Sequence, residues 1–137
     1  MELSPYIMFN GTCEEALKFY EQTLGAKIEA IIKHAGTPAE EHVPAEWREK
    51  VMHARFTIDG QAVMASDAPP GHQKEAGGFS LSLALNDVAK GEELFNKLAE
   101  GGSLTMPFGP TFWAKGFGMC VDRFGIPWMV NCEQGEN

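Results

Sequence analysis

This chain spells one series of elements twice, and a repeat of that kind leaves few folds open. Residues 3–9 are short and rich in large apolar side chains, which reads as a strand. Thr12 stands three residues before Glu15, the spacing of a capping box, so a helix should start there. Ala16, Leu17, Phe19, Tyr20 and Leu24 mark one face of it, and Gly25 ends it. Strands follow at 27–33 and 51–58. Between them a polar excursion with Gly36, Pro38 and Pro44 has room for one helical turn at 46–49. Asp59-Gly60 signals a hairpin, and 61–66 is the returning strand. The second half runs the same course. A strand at 79–85 leads to Asn86 as a helix cap and to a helix at 88–100, stopped by Gly101-Gly102. Strands at 103–106, at 112–121 (interrupted by Gly116 and Gly118) and at 126–132 complete it, the last two joined by a turn at 122–125.

The halves also register. Phe19 and Leu94 are 75 positions apart, as are Leu24 and Ala99. The expected fold is therefore α+β, with two βαβββ repeats forming a cupped mixed sheet and the helices on its convex face. Neither unit can bury both sheet faces alone, so the concave side is left as a pocket. Residues 1–137 read as a single domain: 1–67 the first half, 68–78 a linker holding Pro69, Pro70, Gly71, Gly77 and Gly78, 79–132 the second half, and 133–137 a frayed tail.

Composition narrows the partners. The net charge is −8, with 19 acidic and 11 basic residues, which repels phosphate backbones and argues against nucleic acid. No apolar run approaches the roughly 20 residues of a membrane-spanning helix, and residues 1–9 lack the basic start and long apolar stretch of a secretory signal. Cys13, Cys120 and Cys132 are odd in number and carry no zinc-clip spacing, so they read as buried, reduced thiols in a cytoplasmic protein.

Several blocks are more specific. Residues Pro5-Tyr6-Ile7-Met8-Phe9-Asn10-Gly11 lead into Glu14-Glu15-Ala16, Phe19-Tyr20 and Leu24-Gly25-Ala26. Later come Met64-Ala65-Ser66-Asp67-Ala68, then Thr111-Phe112-Trp113-Ala114 with Gly116-Phe117-Gly118, and Asp122-Arg123-Phe124-Gly125-Ile126-Pro127-Trp128. Nearly end to end, the chain resembles the PhnB-like branch of the glyoxalase/bleomycin-resistance (vicinal oxygen chelate) superfamily. The resemblance implies paired βαβββ units and a homodimer. The superfamily includes lyases, dioxygenases, epimerases, thiol transferases and metal-free drug-binding proteins. Some PhnB-like members carry a 3-demethylubiquinone 3-methyltransferase label. The sequence has no glycine-rich strand-to-helix turn of the kind that cradles S-adenosylmethionine, so no cofactor is expected.

Metal-dependent members place ligands near the start of the first strand of each half and four residues past the turn glycine in the last. Those positions here hold Met64 and Met129, with Pro5 and Ser80 nearby. Thioether and proline are poor partners for borderline divalent ions, so no metal is expected. His34, His42 and His72 lie in loop-like stretches and read as solvated surface. His53 lies in a strand, where alternation sets His53, Arg55 and Thr57 against Met52, Ala54, Phe56 and Ile58. The polar set points into the pocket or to solvent.

The candidate ligand-binding residues are Tyr6, Met8, His53, Arg55, Met64, Asp67, Trp113, Phe117 and Met129. Met64 and Met129 form either an adaptable pocket floor or core. Trp113 and Phe117 either stack on a flat ligand or line a dimer interface. Asp67 either reaches the pocket or caps the turn after it. Two functions stay open: metal-independent binding or sequestration of an apolar or aromatic small molecule, and an enzyme of unknown substrate with polar contacts from Tyr6, His53, Arg55 or Asp67.

Overall fold

Apolar alternation in eight strands and a 3.6-residue stripe in two helices are what the computed structural model, which describes residues 1–133, converts into two βαβββ units. The first unit spans residues 1–74 and the second begins at Glu75. The strands pair within each unit, so the expected single sheet is two four-stranded sheets, one per unit.

The first unit contains β1 (Tyr6–Phe9), α1 (Cys13–Leu24), β2 (Lys27–Lys33), β3 (Val51–Ile58) and β4 (Gln61–Asp67). Its strand order is β1-β4-β3-β2, with β1 parallel to β4 and the other pairs antiparallel. The β3–β4 hairpin turns at Asp59 (φ 48°) and Gly60 (φ 81°), the paired positive angles that an Asp-Gly turn supplies most readily. Helix α1 buries Cys13, Ala16, Leu17 and Tyr20, one stripe at helical spacing. Beneath it lie Ile7, Phe9, Val51, Ala54, Phe56, Val63 and Ala65. Fully burying a side chain the size of Leu17 contributes about 2 kcal/mol. Gly25 ends the helix in the left-handed conformation, φ 69°.

The second unit contains β5 (Leu81–Leu85), α2 (Val88–Ala99), β6 (Ser103–Gly109), β7 (Ala114–Val121) and β8 (Pro127–Glu133), ordered β5-β8-β7-β6. Gly116 and Gly118 do not interrupt β7. They are where rings land: a Cβ on Gly118 would collide with Phe95 of α2, and one on Gly116 with Phe108. Glu133, expected in the tail, is the last residue of β8; residues 134–137 lie outside the described residues. Among the described residues no helix is long and apolar enough to cross a membrane.

Three local expectations change. The excursion at 34–50 holds two 3-10 turns, Pro38–His42 and Ala45–Trp47. His34 is buried rather than solvated, because its backbone N–H donates to Lys50 O at 3.1 Å and its Nδ1 sits 2.9 Å from the same oxygen, pinning the base of the excursion. Both helices start within a residue of where the sequence places them, but their capping differs from expectation. Thr12 makes no side-chain cap bond, and the cap of α2 is Asp87, whose carboxylate accepts from Lys90 N at 3.0 Å.

Candidate functional site

Register and alternation decide which side chains share a face. In the first sheet Tyr6 pairs with Met64 and Met8 with Ser66, while Met64 in turn pairs with Arg55. His53 and Arg55 have the same parity, opposite to that of Ala54 and Phe56 in the core. Tyr6, Met8, His53, Arg55, Met64 and Ser66 therefore line the face of the first sheet that α1 does not cover. Tyr6 is 42% exposed and Met8 62%.

This face has internal order. The Tyr6 hydroxyl and His53 Nδ1 lie 3.2 Å apart, with ring centroids 5.8 Å apart. The imidazole tautomer decides which of the two donates. Arg55 Nε donates to Glu29 Oε1 at 3.1 Å. At one end of the face a groove of about 600 Å³ is lined by Met8, Ser66, Ala68, Pro69, His72 and Lys74. Four of those six belong to a stretch that reads in the sequence as linker. No sequence signal marks them: they reach the groove because the parallel pairing of β1 and β4 continues past the strand ends, Ala68 N donating to Phe9 O at 2.7 Å.

Asp67 is the expected site residue that the structure takes elsewhere. It is 3% exposed and faces the core. Its Oδ1 accepts from Gly11 N and Cys13 N, and its Oδ2 from Val51 N, all at 2.9 Å. Strand alternation separates it from Ser66, and three backbone donors use its lone pairs. It is a tie between the start of α1 and the start of β3, with no reach toward the groove. Burial, with Asp67 and then Glu14 nearby, pushes the Cys13 thiol up to about 12. Burial and Asp122 take Cys120 to about 11. Burial and Asp87 raise Cys132. All three cysteines are free and buried, and the burial that raises them disfavours the reactive thiolate.

The second unit carries the remaining candidates. Met129 pairs with Ser82 and Met119, and Phe117 with Asn131, so these residues share the sheet face opposite Trp128, Val130 and Cys132. Trp113 is 45% exposed with its ring 5.3 Å from Phe117, edge to face, while Phe117 itself is buried. Asn131 Oδ1 is buried and has no hydrogen-bond partner among the described residues.

Two implied groups can be tested against these residues. For a metal, the strand pairing sharpens the positions. Tyr6 is the neighbour of Met64 and Ser82 the neighbour of Met129, one residue beyond Pro5 and two beyond Ser80. In neither unit does the pair, a phenol with a thioether or a hydroxyl with a thioether, offer the carboxylate or imidazole donors that a borderline divalent ion takes. Among the described residues no three His, Cys, Asp or Glu side chains come together elsewhere. For S-adenosylmethionine, the turn between β1 and α1 is already filled. Asp67 takes the N–H groups of Gly11 and Cys13, a Cβ on Gly11 would stand 3.1 Å from the Trp47 ring, and Lys50 Nζ donates to Gly11 O at 2.9 Å. Neither group fits.

A family model described as 3-demethylubiquinone-9 3-methyltransferase matches residues 1–131. Protein YjdN of Escherichia coli K12 is 37% identical, covering 96% of this chain and 95% of its own. The crystal structure of PA1353 from Pseudomonas aeruginosa is 48% identical, with a TM-score of 0.88 over 98% of this chain and 99% of that one. A PhnB protein from Bacillus cereus is 27% identical, with a TM-score of 0.83 over 96% and 98%. A glyoxylase/bleomycin resistance protein/dioxygenase domain from Frankia, 13% identical with a TM-score of 0.64 over 98% of each chain, shares the fold.

Proposed function

The chain belongs to the family described as 3-demethylubiquinone-9 3-methyltransferase, the PhnB-like part of the glyoxalase/bleomycin resistance superfamily, and on that premise we propose that it binds a small, largely apolar or aromatic molecule on the open face of the first sheet, with no metal ion or methyl donor taking part. One observation carries this reading. Tyr6, Met8, His53 and Met64, from three different strands, share a face beside a groove of about 600 Å³, within the roughly 300–1,000 Å³ usual for small-molecule sites. Methionine adapts to a ligand's shape, and Tyr and His offer few, directed polar contacts.

Titrating the isotope-labelled full chain with small aromatic and aliphatic compounds, followed by amide shifts, tests it. Binders should move Met8, His53, Met64 and Ser66 together. Shifts confined to the second unit would overturn the reading.

The Tyr6–His53 hydrogen bond favours an enzyme as the second reading, since a phenol and an imidazole in contact can pass a proton to or from a substrate. Tyr6→Phe separates the two: it leaves binding within a few-fold in the first case and abolishes turnover in the second. The reading includes a homodimer working in the cytoplasm, where three free thiols stay reduced. A monomer at micromolar concentration in a sizing experiment would remove the dimer from it.

A further inference from the structure

We propose that the groove beside β1 and β4 takes a ligand with an apolar body and an anionic group, the body on Met8, Ala68 and Pro69 and the anion at Lys74 and His72. This rests on the binding reading above and specifies its ligand class.

The groove lining is unusual for this chain. The protein carries 19 acidic residues against 11 Lys and Arg, yet the six residues of the groove include a lysine and a histidine and no carboxylate. Neither Lys74 nor His72 has a side-chain hydrogen bond or ion pair among the described residues. Two acids adjoin the lining in sequence. Glu75 follows Lys74, is exposed and is not among the lining residues, whereas Asp67 is flanked by two of them, Ser66 and Ala68. It points the other way and is covered by three N–H donors. Its charge is thus directed into dipoles of the opposite sense and not at the groove.

The segment that carries the cationic residues is also held in place. Ala68 is tied to β1 by its bond to Phe9 O. His72 N donates to Pro69 O at 3.0 Å and Gln73 Nε2 to Ala68 O at 3.2 Å. These bonds fold residues 68–73 into a turn, and the chain leaves it at Lys74. Met8, Ala68 and Pro69 supply carbon surface in the same groove. Carbon surface together with unpaired nitrogen donors matches an amphiphilic anion. A carboxylate, sulfonate or phosphate would all satisfy the same donors.

Three probes of equal chain length test this on the full chain: octanoate, 1-octanol and octylammonium. Octanoate should move the amides of Ser66, Ala68, His72 and Lys74 and bind about tenfold more tightly than octanol, the gain of one charge-assisted hydrogen bond. Lys74→Gln, at an exposed position that does not endanger folding, should remove most of that difference and leave octanol unchanged. Equal binding of octanoate and octanol, or tighter binding of octylammonium, would overturn the charge assignment and leave the groove. If none of the three moves those amides, the groove is not a binding site and the binding reading fails with it.

Discussion

The last strands of the two units end in different chemistry, and the difference shows how each unit holds its helix. In the first unit Phe9 pairs with Asp67, and in the second Leu85 pairs with Cys132. Asp67 reaches from its strand to the start of α1, where it takes Gly11 N and Cys13 N, and to the start of β3, where it takes Val51 N. Thr12, the local capping candidate, makes no cap bond. In the second unit the helix caps itself through Asp87 and Lys90 N, and the residue equivalent to Asp67 is a thiol that donates to Asp87 O at 3.7 Å. Cys132 then packs where a side chain on Gly91 would stand. One helix is capped from 54 residues away and the other from three. The long-range cap couples three elements, whereas the local cap serves one.

Asp67→Ala should break this contrast most severely. It leaves three backbone donors in or near the core unpaired, which costs about 4 kcal/mol, read as a lower midpoint in urea unfolding. A loss under about 1 kcal/mol would mean that water replaces the carboxylate and that the coupling is not there.

The next effect is a pH dependence confined to the alkaline side. The Cys13 thiol titrates near 9.0 when free and near 12 in the folded chain. Between those values the unfolded chain has lost the proton and the folded chain keeps it. Stability therefore falls as pH rises from 9 to 12, by about 1.4 kcal/mol per pH unit from this group, and is untouched by it below pH 9. Cys13→Ala should flatten that limb of the stability profile. An unchanged slope would assign the alkaline loss to other groups. The smallest effect is expected for Asp87→Ala, the loss of an ordinary N-cap, about 1 kcal/mol. If it matched Asp67→Ala, the two capping schemes would be equivalent and the comparison empty.

Much of this molecule was legible as pattern. The βαβββ order came from apolar alternation and helical spacing, and the Asp59-Gly60 turn and the Gly25 stop came from dipeptide chemistry. The shared face of Tyr6, Met8, His53, Arg55 and Met64 was readable because strand parity is strictly two. Beyond the division into two sheets and the course of β7 and β8, the readings that changed concern polar groups. Asp67 looked like a pocket carboxylate or a turn cap, Thr12 like a helix cap and His34 like solvated surface. Each of these was decided by a partner distant in sequence, or by the absence of one.

The sequence by itself determined the element order, the repeat and which side chains share a sheet face, because periodicity is a local property of the backbone. Only the tertiary structure decided where the polar atoms are satisfied: that Asp67 belongs to the core, that Trp47 fills the space over Gly11, and that residues 68–74 wall a groove beside Met8. Hydrogen bonds to buried groups depend on which segments meet in space, and for a carboxylate serving Gly11, Cys13 and Val51 together that meeting exists only in the folded chain.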